Sequence, residues 1–445
     1  MQDGFSSEIL THKHMLWILN TGITAVLQTI SNVANLLLNQ GGYLLQENNN
    51  KLSISSIPTL PTTTSPNAGD VFPVVNSAGN TTALSLSAAV GAVSLFQKQA
   101  GNYIYVTTTS TASANGTNLL IAYAKACALI PNGSALSSSN RVAVLIPPGT
   151  YTTTAGLQLS AQYVDIVGIS SDANHIVIDV VNQTANDVQV SNITVATNGC
   201  SLASNLSLTV WTNCVVSCTG YKGSFGNSIT ISGTFNNCIA NGTNGGSGFG
   251  GPNSVVSGTF NNCIGNGDYG ATGGGQGGFG GQTCTLSGIF NNCTGNATGS
   301  SGFSAGCGGF AGSSSTVTGT FTNCIGSTGS NIGGASFAGS SCNVSGTFFN
   351  CIGNTYSAFN GYYGNATYAG AFIGGGSTIS GTFINCRQNS TFSDGSAGIN
   401  FFGSSATFTG KLINCNVAND IGVLSTATGK IRNYIDKNGD VYNYN

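Results

Sequence analysis

Between Asn205 and Cys415 the apolar and polar positions recur as a phrase, not as a helical period. Ser232-Gly-Thr-Phe-Asn-Asn-Cys238 is followed by near copies ending at Cys263, Cys293, Cys324, Cys351, Cys386 and Cys415, and Trp211-Thr-Asn-Cys214 is a degenerate copy ahead of them. A period of a few tens of residues marks a solenoid. Phe249, Phe279, Phe310, Phe337, Phe372 and Phe401 each precede the next phrase cysteine by 14 residues, whereas the distance from that cysteine onward to the next phenylalanine varies from 11 to 21. Each turn of the solenoid therefore has one constant arm and one variable loop. Alternation of period two inside the constant arm predicts strands.

Coils of a parallel β-helix stack about 4.8 Å apart, so equivalent residues form ladders. Phe249, Phe279, Phe310, Phe337 and Phe372, and Cys238, Cys263, Cys293, Cys324, Cys351 and Cys386, are expected to point inward as two apolar ladders. Asn237, Asn262, Asn292, Asn323, Asn350 and Asn385, with Asn414, are expected at a bend, where stacked amides bond to one another and to the turn backbone. Gly233, Gly258, Gly288, Gly319, Gly346, Gly381 and Gly410 mark a corner that needs either a positive φ or a tight approach of chains.

Ahead of the repeat the period changes. Leu16, Leu19, Ile23, Val26, Ile30, Val33 and Leu37 alternate at three and four residues, with Thr24, Gln28, Ser31 and Asn35 between them. That heptad predicts a helical bundle, and Ile, Val and Leu shared between both core positions are compatible with more than two chains. Two other readings stay open: an amphipathic helix packed within one chain, and a membrane span, against which Asn20, Gln28, Asn32 and Asn35 weigh. Gly41-Gly42 ends the helix, and residues 57–66 read as a stiff linker. Runs at 70–75 and 81–87 flank a Gly/Asn turn and predict a hairpin. Leu119, Leu120, Ala124 and Cys127 fall on one helical face, and Val142-Ala-Val-Leu-Ile146 follows as a buried strand. The expected layout is residues 1–50 as anchor and trimerisation helix, 51–110 as linker and hairpin shoulder, 111–415 as a β-helix with a cap helix, and 416–445 as a C-terminal cap. In that cap Gly429-Lys-Ile-Arg-Asn433 repeats the corner-strand-Asn order, and Tyr442-Asn-Tyr-Asn445 closes the last coil.

The succession of helix, apolar strand, Pro147-Pro-Gly-Thr-Tyr151 and Val164-Asp-Ile-Val-Gly168 resembles the N-terminal cap and first coil of the pectate-lyase-like β-helix family, which includes phage tailspikes. Asn115-Gly116-Thr117 stands where that family commonly has two acidic residues and a threonine. The phrase Asp70-Val-Phe-Pro-Val-Val75 resembles shoulder segments near the N-termini of phage tail-fibre and spike subunits. The resemblance implies an all-β fold, a right-handed single-stranded parallel β-helix behind a short α-helical coiled-coil anchor. It implies a viral tail-fibre, tailspike or head-fibre subunit: a homotrimer held to other virion proteins by its N-terminal region, on the tail or capsid surface.

Composition narrows the partners. Charged residues make up 5% of the chain against about 25% in ordinary globular domains, and Gly supplies 65 residues. With a net charge of −2 and 11 scattered basic residues, there is no patch to neutralise phosphates or anionic lipid, so neither nucleic acid nor membrane insertion is expected. A hydrophobic content of 40% argues for a buried core and against disorder. The 14 cysteines follow the repeat and read as buried thiols; disulfides between Cys214 and Cys218, or among Cys284, Cys307 and Cys342, stay open. Zinc would need convergent ligands, and the histidines are His12, His14 and His175. No cofactor is expected. No cleavage-site pattern follows the first apolar stretch, so release is expected through particle assembly and lysis. The Gly-rich segment 265–281 is followed by neither a lysine nor a helix and is not read as a phosphate loop.

Cleaving a glycoside takes two carboxylates some 5 to 10 Å apart. Between Ser201 and Cys415 there are Asp268 and Asp394, expected in loops four coils apart, hence about 19 Å. Asp165, Asp172, Asp179 and Asp187 read as surface or turn residues. Binding is the preferred alternative to catalysis. The longest variable loop carries Tyr356, Phe359, Tyr362, Tyr363 and Tyr368 beside Asn354, Asn360 and Asn365, rigid aromatic area and neutral hydrogen-bonding groups suited to a glycan; the alternative is that they pack on the solenoid or on a neighbouring subunit. His12 and His14 of three chains would offer six imidazoles to an octahedral metal, as the resemblance to phage spikes suggests, or stand solvated. The expected function is a structural virion appendage that binds a host-surface glycan or protein receptor. A capsid-decorating protein and a polysaccharide depolymerase are the alternatives.

Overall fold

A computed structural model of the chain describes residues 44–45, 51–52, 71–75, 81–85, 102–196, 200–269, 276–299, 307–330, 334–357, 372–392, 401–403, 405–417, 430–435 and 441–444. The chain divides into two compact units, Met1–Ala100 and Gly101–Asn445. In the first, Val71–Val75 pairs antiparallel with Thr81–Ser85, Val75 opposite Thr81. Leu44–Leu45 pairs antiparallel with Lys51–Leu52. The heptad and both N-terminal histidines lie outside the described residues.

The second unit is a right-handed parallel β-helix. Its cap helix runs from Ala112 to Ala128, starting seven residues ahead of Leu119, the first residue of the apolar face. The reason is that Asn115 and Gly116, which carry no hydrophobic signal, are themselves buried. Asn115 accepts from Thr109 N at 2.6 Å and donates to Thr150 O at 3.2 Å, and a Cβ on Gly116 would meet Thr152 O at 1.9 Å. Thr111 caps the helix by accepting from Ala114 N. A strand at Tyr103–Tyr105, with one half-buried residue between two exposed tyrosines, adds in parallel to Val142–Ile146. Too short to show a period, it extends the first coil ahead of the expected boundary.

One coil illustrates the rest. The strand Thr234–Asn236 is followed by a bend at Asn237, a second strand at Ile239–Thr243, the variable loop, a Gly-Phe-Gly bridge around Phe249, a turn at Asn253, a third short strand at Val255–Val256 and a corner at Gly258. The next coil repeats it in register: Thr234 opposite Thr259, Phe235 opposite Phe260, Asn236 opposite Asn261. First and second strands build a 25-stranded sheet, and the third strands of the repeat a seven-stranded one.

The corner and the bend divide the two backbone tasks that a glycine can serve. The bend asparagines from Asn192 to Asn414 hold φ at 52–56°, the left-handed region that asparagine tolerates better than most residues. This φ turns the amide over: Asn237 N donates onward to Asn261 O, whereas Ile239 N donates back to Cys214 O. The corner glycines are absent from the positive-φ set. Theirs is the tight approach: a Cβ on Gly258, Gly319 or Gly410 would lie 2.2, 2.5 or 2.1 Å from the carbonyl oxygen of the corner glycine one coil below.

The core holds two interleaved phenylalanine columns. The arm column (Phe249, Phe279, Phe310, Phe337, Phe372) packs edge-on against a column from inside the phrase (Phe235, Phe260, Phe290, Phe321, Phe348), with centroids 5.1–6.2 Å apart across columns and 4.2–5.0 Å along them. Rings in these geometries add roughly 0.5–1.5 kcal/mol per pair beyond burial. Phe225 joins the arm column, stacked on Phe249 at 5.4 Å; its turn is one residue shorter than later ones, which hides it from the 14-residue spacing. At the far end Lys430–Ile435 stacks on Lys411–Ile413, placing Ile431 over Leu412, and Val441–Tyr444 pairs antiparallel to cover that edge.

Candidate functional site

The variable loops leave each coil at the end of the second strand and rejoin it at the arm. Tyr356 lies in the strand Ile352–Ser357, in register with Gly329 below and Thr391 above. Phe359, Tyr362, Tyr363 and Tyr368 fall outside the described residues. The strands that carry the loops present amide columns along the solenoid axis. Asn266 donates to Asn241 at 2.7 Å and Asn296 to Asn266 at 2.8 Å. Asn261 donates to Asn236 and Asn291 to Asn261, both at 2.9 Å. At the bend Asn262 bonds Asn237, Asn323 bonds Asn292, and Asn350 and Asn385 continue the column, at 3.1–3.2 Å. The sequence carries a partial signal for the first-strand and second-strand columns: in the first three copies an Asn stands two residues before and three residues after the phrase cysteine.

The carboxylates are distributed differently from expectation. Asp268 lies on the strand Ile264–Tyr269 instead of in a loop, and its side chain accepts from Asn244 N at 2.9 Å. Asp394 is outside the described residues. Asp165, read as a surface or turn residue, is buried within Val164–Gly168, because Arg141 one coil earlier neutralises it. The guanidinium donates to both Asp165 oxygens (2.8 and 2.6 Å), to Asp187 Oδ1 at 2.6 Å and to Asp187 O at 3.0 Å, with the Tyr163 ring 5.5 Å away. Hydrogen bonding to Asp165 is the main cause that holds Arg141 above its ordinary pKa. Two carboxylates thus meet in the first coils, but both are bound by the same permanent cation, which suits an ionic clamp across three coils. A charge beside or inside each of two apolar strands was the overlooked signal. Asp179 accepts from Thr153 N and Oγ1, both at 2.7 Å.

Ser170, His175 and Asp172 form another polar group. Ser170 Oγ lies 2.9 Å from His175 Nδ1, and Asp172 lies 3.7 Å from Nε2. The histidine and aspartate side chains are more than half exposed. Asp172 accepts from Asn174 N and Ser170 Oγ accepts from Asp172 N, so both serve the local turn.

The phrase cysteines form one buried column. From Cys238 onward each thiol donates to the carbonyl of the aromatic residue one coil back, Cys238 to Trp211 O at 3.4 Å, Cys263 to Phe235 O at 3.2 Å and Cys324 to Phe290 O at 3.2 Å. Burial pushes the thiols of Cys238 and Cys351 well up. Cys284 and Cys342 lie in another column with Ser315 between them, so they are one coil too far apart to bridge. Cys214 and Cys218 are both free thiols, and Cys218 donates to Lys222 O. Among the described residues no group of three or more metal-type side chains converges, and no helix is long and apolar enough to cross a membrane.

No protein-family model matches the chain, and no curated protein matches it. Among solved structures, ORF18 of Geobacillus virus E2 is similar over 82% of this chain and 68% of its own, at 12% identity and a TM-score of 0.35. The fold rests on the strand register above and not on that likeness.

Proposed function

We propose that the chain is a structural appendage of a virus particle, a fibre or spike subunit whose β-helix is a rigid rod presenting variable loops to a neutral host-surface glycan. The observation that carries this reading is the division of each coil: everything but one loop repeats in register, and the loops leave successive coils at the same place. A rod built this way stacks dissimilar loops along one edge, at a spacing of about 4.8 Å per coil. The edge is uncharged over most of its length and lined by amides, which suits a neutral polymer better than phosphate or lipid. The clamped state of the Asp165 and Asp187 carboxylates favours binding over cleavage. The N-terminal heptad supports anchoring and a trimer.

Binding of the full chain to host cell-wall glycans, read on an array or by cell pull-down, tests the proposal. Replacing Tyr362 and Tyr363 by Ala is expected to weaken binding about tenfold or more, as for loss of about 1.4 kcal/mol or more. Undiminished binding after Tyr356, Phe359, Tyr362, Tyr363 and Tyr368 are all replaced overturns the loop assignment. New reducing ends or unsaturated products on incubation with the glycan would overturn binding in favour of cleavage.

A further inference from the structure

The thiol column has a geometry that packing alone does not use. We propose that it is a site for a thiophilic monovalent cation, Cu(I) or its analogue Ag(I), held linearly between the sulfurs of two successive coils. The column runs from Cys214 to Cys415, every member at most 1% exposed. Its thiols repeat one rotamer: the sulfur lies 3.2–3.5 Å from the carbonyl of the aromatic residue one coil back and 3.4–3.5 Å from the carbonyl two residues before it, from Cys238 onward. Identical rotamers on successive coils place the sulfurs one coil translation apart. Beside them, the stacked rings of the phrase column measure that translation at 4.7–5.0 Å.

Three ligand chemistries are open to stacked thiols, and the spacing separates them. A disulfide needs its sulfurs about 2.05 Å apart, so the coils would have to give up more than half of that separation. Zinc takes four convergent ligands, and no group of three or more converges among the described residues. With a metal–thiolate bond of the same order as zinc's, roughly 2.3 Å, a linear sulfur–metal–sulfur unit spans about 4.6 Å, close to the observed repeat. Soft thiol ligands take Cu(I), zinc or iron–sulfur clusters; the last two want about four ligands, which leaves Cu(I) for a pair.

The charge also balances. One thiol releases its proton and bonds the ion as thiolate, and its neighbour bonds it through a sulfur lone pair while keeping its proton. Two thiols and one M⁺ thus give a neutral complex and one H⁺, with no change of oxidation state and no net charge in the apolar core. Eight rungs taken in pairs hold up to four ions. Because the folded column is closed, the ions enter as the coils stack.

The test is to refold the full chain in a non-thiol reductant with Ag(I), remove free metal, and count silver per chain. Two variants each lose four column thiols. With Cys238, Cys293, Cys351 and Cys415 replaced by Ala, the remaining rungs stand two coils apart, about 9.6 Å, and the column is expected to hold none. With Cys324, Cys351, Cys386 and Cys415 replaced, four adjacent rungs survive and two ions are expected. Thiols outside the column are the same in both, so the difference between variants is the reading. Equal silver in the two, or no retained silver in the wild type, overturns the site. If either variant fails to fold, silver-edge X-ray absorption of the wild type decides: two collinear sulfur neighbours support the site, and three or more neighbours or light-atom ligation overturn it.

Discussion

Replacing Gly319 by alanine separates the two reasons for which a glycine column can exist. At a negative φ with room to spare, alanine stabilises by about 0.4–1 kcal/mol through the unfolded chain. Here its Cβ would sit 2.5 Å from Gly288 O and 3.3 Å from Gly288 N and Ser287 C. A carbon–oxygen contact relaxes at roughly 3.3 Å, so the coils must part by about 0.8 Å. The same carbonyl accepts from Thr320 N at 3.0 Å, and an equal lengthening takes that bond beyond useful range. Overpacking costs about 1–3 kcal/mol and the lost bond about 1 kcal/mol. Less the unfolded-state gain, the expected loss is about 1–3.5 kcal/mol. Gly319→Asn is the control, because asparagine relieves a positive φ but not a close approach, and it should cost at least as much as alanine. Urea denaturation of the full chain gives the magnitude, and hydrogen exchange at Thr320 and Phe321 locates it. A neutral or stabilising Gly319→Ala, or a well-tolerated Gly319→Asn, would refute the close-approach account.

The bend column should show the opposite preference: Asn323→Gly loses the amide bonds to Asn292 and Asn350 but keeps the left-handed backbone, so its urea midpoint should fall less than that of Asn323→Ala, which adds about 1–2 kcal/mol of strain; equal midpoints would count against φ as the selecting factor. Stability should also fall at high pH. Burial pushes Tyr123 and Tyr151 up from 10 to about 12, so their contribution is complete below pH 10 and drains away as the unfolded tyrosines ionise between about 10 and 12. Denaturation midpoints across that range should decline less steeply for Tyr151→Phe, and an unchanged slope would contradict the linkage.

The solenoid was legible because in-register stacking forces one chemistry onto each column, so Asn, Cys, Phe and Gly repeat at coil intervals. The role of each column was only partly legible. Glycine admits both a positive φ and a close approach, and the structure assigns the first task to asparagine and the second to glycine. The phrase phenylalanines were visible as letters, but their interlocking with the arm column depends on how coils face one another across the core. Arg141, Asp165 and Asp187 lie 24 and 46 residues apart, joined only by register. Tyr103–Tyr105 is too short for a period to show. The candidate receptor loops vary in length and composition from coil to coil, so repetition says where they leave the rod and nothing of their form.

Labelling purified virus particles with an antibody raised against residues 101–445 tests the central claim most directly. The account predicts label on fibres or spikes projecting from the particle surface, and particles that stay unlabelled while the lysate contains the protein would contradict it.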